Sequence, residues 1–185
     1  MSALSLGVKA KPRMVKVEKV MVENSTVKTI FFRDGKCSMA EPGQFVMVWI
    51  PGVDEVPMSL SHIGRFEEEE LSAISVRKVG EATEALHRLK AGDLIGVRGP
   101  LGSWFKPTDG KVILVGGGLG IAPLRPLLYK LKEKKCEATV IVGGKTVEDL
   151  VSKYRYVIEN LYGYITVKLN RERSHRELLR RLKEI

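Results

Sequence analysis

The stretch V-I-L-V-G-G-G-L-G-I-A-P-L, residues 112–124, joins an apolar, β-branched run to three consecutive glycines, then to Pro123 and a helix-like segment over 124–133. A buried strand that feeds a glycine turn and a helix presents free backbone N–H groups at the helix's positive end, where a phosphate is held. A side chain at the turn would keep the backbone away from the anion, so the pattern asks for glycine. The spacing departs from G-x-G-x-x-G, and Pro123 stands where a first helical turn tolerates proline. Gly117, Gly118 and Gly120 are therefore expected to face a pyrophosphate-sized anion, with Ala122 and Pro123 opening the helix behind it. The alternative for the same residues is tight strand–helix packing with no ligand.

Outward from this stretch the chain divides in two. Residues 14–22, 26–33, 44–50, 57–63, 71–78 and 93–99 read as short strands. Turn signals separate them: Asp34-Gly35, Pro42-Gly43, Pro51-Gly52 and Ala91-Gly92. One helix, 81–90, interrupts them, and Glu67–Glu70 reads as a solvated hairpin loop. This rhythm suggests a small antiparallel β-barrel or sandwich. After Lys111 the order becomes strand, helix, strand, helix, with strands over 112–115, 138–142 and 164–169 and helices over 124–133, 147–160 and 174–185. Such alternation predicts a parallel sheet. The expected division is an N-terminal arm over 1–13, a barrel over 14–107 and a shortened α/β unit over 108–185, with the boundary near Pro107-Thr108-Asp109-Gly110.

Composition narrows the classes of function. The chain has 185 residues, 44% hydrophobic and 29% charged, which is ordinary for a globular protein. The N-terminus lacks the apolar core of a signal peptide, and the glycine stretch is too short to span a bilayer, so a cytoplasmic location is expected. The net charge of +9 raises nucleic acid as a partner. The excess gathers at an N-terminal arm (Lys9, Lys11, Arg13, Lys16) and in the C-terminal segment, without interleaved aromatics or a helix-turn-helix pattern. Neither nucleic acid nor membrane is expected as a partner. Cys37 and Cys136 are too few for an iron–sulfur cluster and have no zinc-ligand spacing, so no metal is expected in this chain. His62, His87 and His175 show no metal-ligand spacing, and His87 reads as a surface or packing residue.

Five short motifs follow one another: P-G-Q-F at 42–45, V-P-M-S-L at 56–60, R-K-V-G-E-A-T at 77–83, G-P-L-G at 99–102 with Phe105, and the glycine turn. In this order, on a barrel followed by an α/β unit, they resemble the ferredoxin reductase superfamily. The second resembles that family's R-P-[YFI]-S-[LI], which lies along the flavin ring. The third resembles the R-x-x-G-x-G-T that meets the FAD pyrophosphate. Within the superfamily, the wording from Pro42 to Ser61 is most similar to archaeal dihydroorotate dehydrogenase electron-transfer subunits.

The resemblance implies an FAD groove lined by Pro57, Met58, Ser59, Ser75, Val76, Arg77, Gly80, Ala82 and Thr83. Met58 would touch the ring, Ser59 would place a hydroxyl near its reactive nitrogen, and Thr83 would act as the N-cap of the helix facing the pyrophosphate. Two departures stand out. Val56 replaces the family's basic residue, and the sequence carries neither the C-G-P element nor the cluster cysteines that the resemblance implies further on. NAD(P) binding by the glycine turn is therefore left open. No Asp or Glu directly ends the strand 138–142. Gly143-Gly144-Lys145 follows instead, and Lys145 would favour a phosphate, hence NADP(H). The expected function is an FAD-binding electron-transfer subunit, an oxidoreductase component that works with a catalytic dehydrogenase partner. A free-standing flavin-dependent NAD(P)H reductase and a non-catalytic flavin- or partner-binding module are the alternatives.

Overall fold

The computed structural model describes residues 11–106, 110–144 and 165–169. The helices expected over 147–160 and 174–185, most of the N-terminal arm, the boundary at 107–109 and Lys145 lie outside the described residues.

Six strands close into an antiparallel barrel: β1 (Arg13–Asn24), β2 (Val27–Phe32), β3 (Phe45–Ile50), β4 (Asp54–His62), β7 (Ser72–Arg77) and β8 (Leu94–Leu101), in the spatial order β1-β2-β7-β4-β3-β8. Between β4 and β7 the chain makes a two-stranded hairpin, β5 (Arg65–Phe66) and β6 (Glu69–Glu70), so the four-glutamate run is an exposed hairpin tip. Alternation fills the barrel. Val17, Ile30, Phe32, Val46, Val48, Ile74, Val76, Ile95 and Val97 are all fully buried inside. The helix α1 (Glu81–Arg88) plugs one end with Ala85 and Leu86, which join the same core.

The second unit is a parallel sheet in the order β11-β10-β9, formed by β9 (Lys111–Gly117), β10 (Glu137–Gly144) and β11 (Ile165–Leu169). The helix α2 (Arg125–Glu133) covers it through Leu127, Leu128 and Leu131 on Leu114, Val140 and Val142. Burying each of those leucines contributes about 1.5–3 kcal/mol.

Two boundaries differ from the sequence expectation. The strand β9 does not stop at Val115. Gly116 and Gly117 remain in the ladder, opposite Val142 and Gly143 of β10. Nor do Ala122 and Pro123 open an α-helix. Gly118–Leu124 is a 3-10 segment, and α2 begins at Arg125. Pro123 and Pro126 lack the N–H donors that an α-helix would use there, which favours the tighter turn. Gly118, at φ +55°, makes the bend between strand and 3-10 segment.

Arg13 is not a loose basic residue of an arm. It is the first residue of β1, and its guanidinium forks onto the Asp34 carboxylate at 2.7 and 3.0 Å while donating to the Gly99 carbonyl at 2.9 Å. Asp34 also accepts the backbone N–H groups of Lys36 and Cys37, fixing the turn that follows β2. Burial pushes the Asp34 carboxyl up, but the Arg13 hydrogen bonds, the Cys37 amide and the Arg13 charge together hold it below the usual value. Burial, chiefly, pushes the neighbouring Cys37 thiol up to about 12, so it is an inert core group.

Asp34→Ala should lower unfolding free energy by about 2 kcal/mol, since it strands a half-buried guanidinium and two backbone amides. Because the folded carboxyl is held below its unfolded value, its contribution is present above the unfolded pKa and lost as pH falls through the lowered one. Urea midpoints measured from pH 7 down to pH 3 should show this loss in wild type and a shallower one in Asp34→Ala. Equal midpoints for the two chains at pH 7 would contradict the assignment.

Candidate functional site

The strands β4 and β7 form a ladder over only two register pairs, Leu60–Ile74 and His62–Ala73. On its other edge β4 continues to pair with β3, from Ser59–Phe45 to Asp54–Ile50. Likewise β7 continues on β2 through Ser75, Val76 and Arg77. The two strands therefore part beyond Leu60 and Ile74, leaving an open seam in the barrel wall. Inward-facing residues record the opening. Leu60 is fully buried, whereas Met58 and Val56 are only half-buried against the core.

The seam brings together the two motifs singled out in the sequence. Pro57, Met58 and Ser59 border it on β4, with Pro57 and Ser59 exposed. Ser75, Val76 and Arg77 border it on β7. Val76 differs from its expected role. Its side chain is fully buried in the barrel and its carbonyl accepts from His87 Nε2 at 2.9 Å, so it offers a ligand backbone at most. His87 is thus a packing residue that ties α1 to β7. The Ser75 hydroxyl is also engaged. It lies 2.9 Å from both Thr29 Oγ1 and Ser61 Oγ, and Thr29 donates to Glu23 at 2.7 Å. This row of hydroxyls stitches β2, β7 and β4 together where the seam closes. The sequence analysis did not find it, and alternating Ser and Thr on neighbouring strands was the only signal.

At the open end stands the N-terminus of α1. The N-cap is Gly80, not Thr83. Thr83 occupies the third helical position and reaches back: its Oγ1 accepts the N–H groups of Val79 (2.9 Å) and Gly80 (3.0 Å) and donates to the Gly80 carbonyl (2.8 Å). Glycine at the cap has no side chain to hold the turn, so the hydroxyl three residues on does so. A Cβ built on Gly80 would meet nothing within 4 Å. The turn at Gly80 is thus open among the described residues, and the first helical amides next to it form the positive end of the helix. Glu81 and Glu84 lie in that first turn, and Arg77 and Lys78 offset them in charge. The field left at the cradle is that of the amides. Room, oriented N–H donors and a neighbouring basic strand end are what a flavin dinucleotide's pyrophosphate needs, so the residues present fit that group.

Across β4 and β7 lies the 3-10 segment after the glycines, which packs on both strands. The glycines divide into two kinds. A Cβ on Gly116 would lie 2.8 Å from Ile121 Cα, so that glycine is required by packing. Among the described residues, Gly117, Gly118 and Gly120 have nothing within 4 Å of an added Cβ. Ala122 and Pro123 are half-buried in the 3-10 segment behind them. Among the described residues no group of three or more His, Cys, Asp or Glu side chains is placed to hold a metal ion, and no helix is long and apolar enough to cross a membrane.

Comparison with known proteins agrees with this architecture. The chain is 41% identical over 146 residues to the probable dihydroorotate dehydrogenase B (NAD(+)) electron transfer subunit of Methanocella arvoryzae, a match covering 79% of this chain and 54% of that protein. It is 40% identical over 146 residues to the protein of the same description from Methanocaldococcus jannaschii, covering 79% and 53%. The chain thus spans about half the length of the curated relatives it matches. Among solved structures, an NADH-dependent reduced ferredoxin–NADP oxidoreductase superposes with a TM-score of 0.71 at 28% identity, covering 85% of this chain and 57% of that one. No family model matches the chain.

Two substitutions separate packing from ligand contact at the glycines. Gly116→Ala should destabilise the α/β unit by about 1–3 kcal/mol through the clash with Ile121. Gly117→Ala should leave the urea midpoint within about 0.5 kcal/mol of wild type, since its backbone is extended and the space is open. Equal destabilisation by both would contradict the division. At α1, Thr83→Val should cost about 1 kcal/mol by leaving the Val79 and Gly80 amides without their acceptor, and Thr83→Ser should restore most of it.

Proposed function

We propose that the chain is a member of the ferredoxin reductase superfamily that carries FAD in the β4–β7 seam and serves as the electron-transfer component of an oxidoreductase of the dihydroorotate dehydrogenase B type. The observation that carries this reading is the seam itself. It sets the P-M-S stretch of β4 and the open amide end of α1 on either side of one gap in an otherwise closed barrel.

When bound, FAD would supply both two-electron and one-electron redox chemistry. The chain's own residues bind and orient. Met58 offers a polarizable, half-buried thioether to a flat ring, and the exposed Ser59 offers a hydroxyl at the ring's edge. The amides after Gly80 hold a diphosphate, and Arg77 adds charge beside them. Val56 brings no charge to the seam and packs against the core instead, so the helix end and Arg77 hold the diphosphate unaided from β4. The partner in this reading is a catalytic dehydrogenase subunit of pyrimidine biosynthesis, which exchanges electrons with the flavin. The open glycines 117, 118 and 120 are the place for a nicotinamide nucleotide's pyrophosphate, with weak affinity expected because no acidic residue directly ends β10 to hold a ribose.

Purified chain incubated with saturating FAD and then stripped of free flavin should retain one FAD, with absorbance near about 450 nm. FMN, which lacks the second phosphate, should be retained less well. Retention of neither flavin would sink the proposal. Under anaerobic conditions, NADH should bleach the bound flavin slowly. Rapid bleaching at low NADH would instead mark the chain as a reductase in its own right.

A further inference from the structure

His62 ends β4 and lies in the junction between the barrel and α2. The residue is 4% exposed, and among the described residues neither Nδ1 nor Nε2 has a hydrogen-bond partner. Buried polar atoms are nearly always paired, so an imidazole with both nitrogens unpaired calls for an explanation. The ring sits in an aromatic box. Phe31 of β2 lies 5.9 Å away between centroids, Phe66 of β5 5.4 Å and edge-on, and Tyr129 of α2 6.1 Å and edge-on.

The charges around the box are cationic on two sides. From α2 comes Arg125, itself only 9% exposed, lying 5.7 Å over the Tyr129 ring and donating to its hydroxyl at 3.2 Å. The Tyr129 hydroxyl is the other titratable group on that helix face. From β1, Lys19 lies 5.1 Å over the Phe66 ring and pairs with Glu67 at 2.6 Å. The β5–β6 hairpin adds Arg65, paired with Glu68 at its exposed tip, and Glu70 beside Gly64. The packed neighbours on β2 and β7, Phe31 and Ala73, carry no charge.

We propose that His62 is an acid-sensitive latch between the two units: neutral, it seats α2 on β4; protonated, it is a charge sealed among aromatic rings beside Arg125, so α2 and the glycine segment lift off the barrel. Burial first, and the Arg125 charge second, push the imidazole down from 6.5 to about 4 while the units are docked, and the backbone of Gly64 and Arg65 opposes this only weakly. The sign follows. An undocked, solvated His62 takes up its proton near 6.5, so docking is at full strength above that pH and weakens as pH falls toward 4. At pH 4.5 the docked-to-undocked ratio should be reduced on the order of fifty-fold. The 3-10 segment after the glycines rides on the same strand as His62. The latch therefore also decides whether the 3-10 segment stays packed on β4 and β7. This inference does not depend on what the seam binds.

Ring-proton NMR on the full chain between pH 7 and pH 4.5 tests it. The NOE between the His62 and Tyr129 rings, which crosses the junction, should fade as pH falls below 6.5. The NOE between Phe31 and Phe66, both in the barrel unit, should keep its intensity, and the α2 amides should stay protected on their own sheet. In His62→Phe, which adds a fourth ring to the box, the corresponding ring contact with Tyr129 should persist at pH 4.5. Loss of the barrel contact together with the junction contact in wild type, or loss of the junction contact in His62→Phe, would overturn the latch. Should His62→Phe not fold, the titration of the wild-type His62 ring decides. Its midpoint should coincide with the loss of the His62–Tyr129 NOE, and a ring that titrates while that NOE persists overturns the proposal.

Discussion

Of the nine residues of β4, only Leu60 to His62 lie in its ladder with β7, and that short ladder closes the barrel. Had it run the full length of β4, the backbone of 54–59 and of 75–77 would be used up in pairing, and no gap would exist in the wall. Because it stops, two strand edges are left with backbone donors and acceptors that need water or a ligand. The packing that sustains the opening is local. Ala85 and Leu86 of α1 plug the barrel end, so the core stays dry although the wall is split. His87 then ties α1 to β7, and Thr83 holds the turn at Val79 and Gly80 from which the helix starts. At the closed end, the Thr29–Ser75–Ser61 hydroxyls and the two ladder pairs hold the strands together, and the α/β unit rests on the same place.

Much of this plan was legible in the chain. Short runs separated by turn signals such as Pro42-Gly43 and Pro51-Gly52 marked the six barrel strands, although β4 begins at Asp54 and not at 57. The parallel sheet was legible from the change of rhythm after Lys111. What sequence could not supply were relations between distant residues. Arg13 and Asp34 are twenty-one positions apart, and nothing local says that a basic residue near the N-terminus starts a strand by gripping a turn. The seam is a matter of register between β4 and β7, and register is absent from either strand's own pattern.

Local misreadings had local causes. Thr83 looked like a cap because threonine before an apolar helical run usually is one, yet the helix starts at Glu81 and the hydroxyl reaches backward. Gly116 and Gly117 looked like a turn because glycine weakens strands, but β10 provides a parallel partner that carries the ladder through both. In sequence the glycines of 116–120 are indistinguishable. In space, Gly116 makes room for Ile121, whereas Gly117, Gly118 and Gly120 have no neighbour among the described residues within 4 Å of an added Cβ. That contrast, more than the glycine count, separates a packing glycine from one that can meet a ligand.

The central claim is that the parted edges of β4 and β7, together with the first turn of α1, form one flavin site. Hydrogen-exchange mass spectrometry of the full chain with and without FAD addresses it most directly. The account predicts added protection in peptides covering 54–59 and 75–83, with β1 and β8 unchanged. Protection confined to the glycine segment at 116–124, or no change in either edge of the seam, would contradict it.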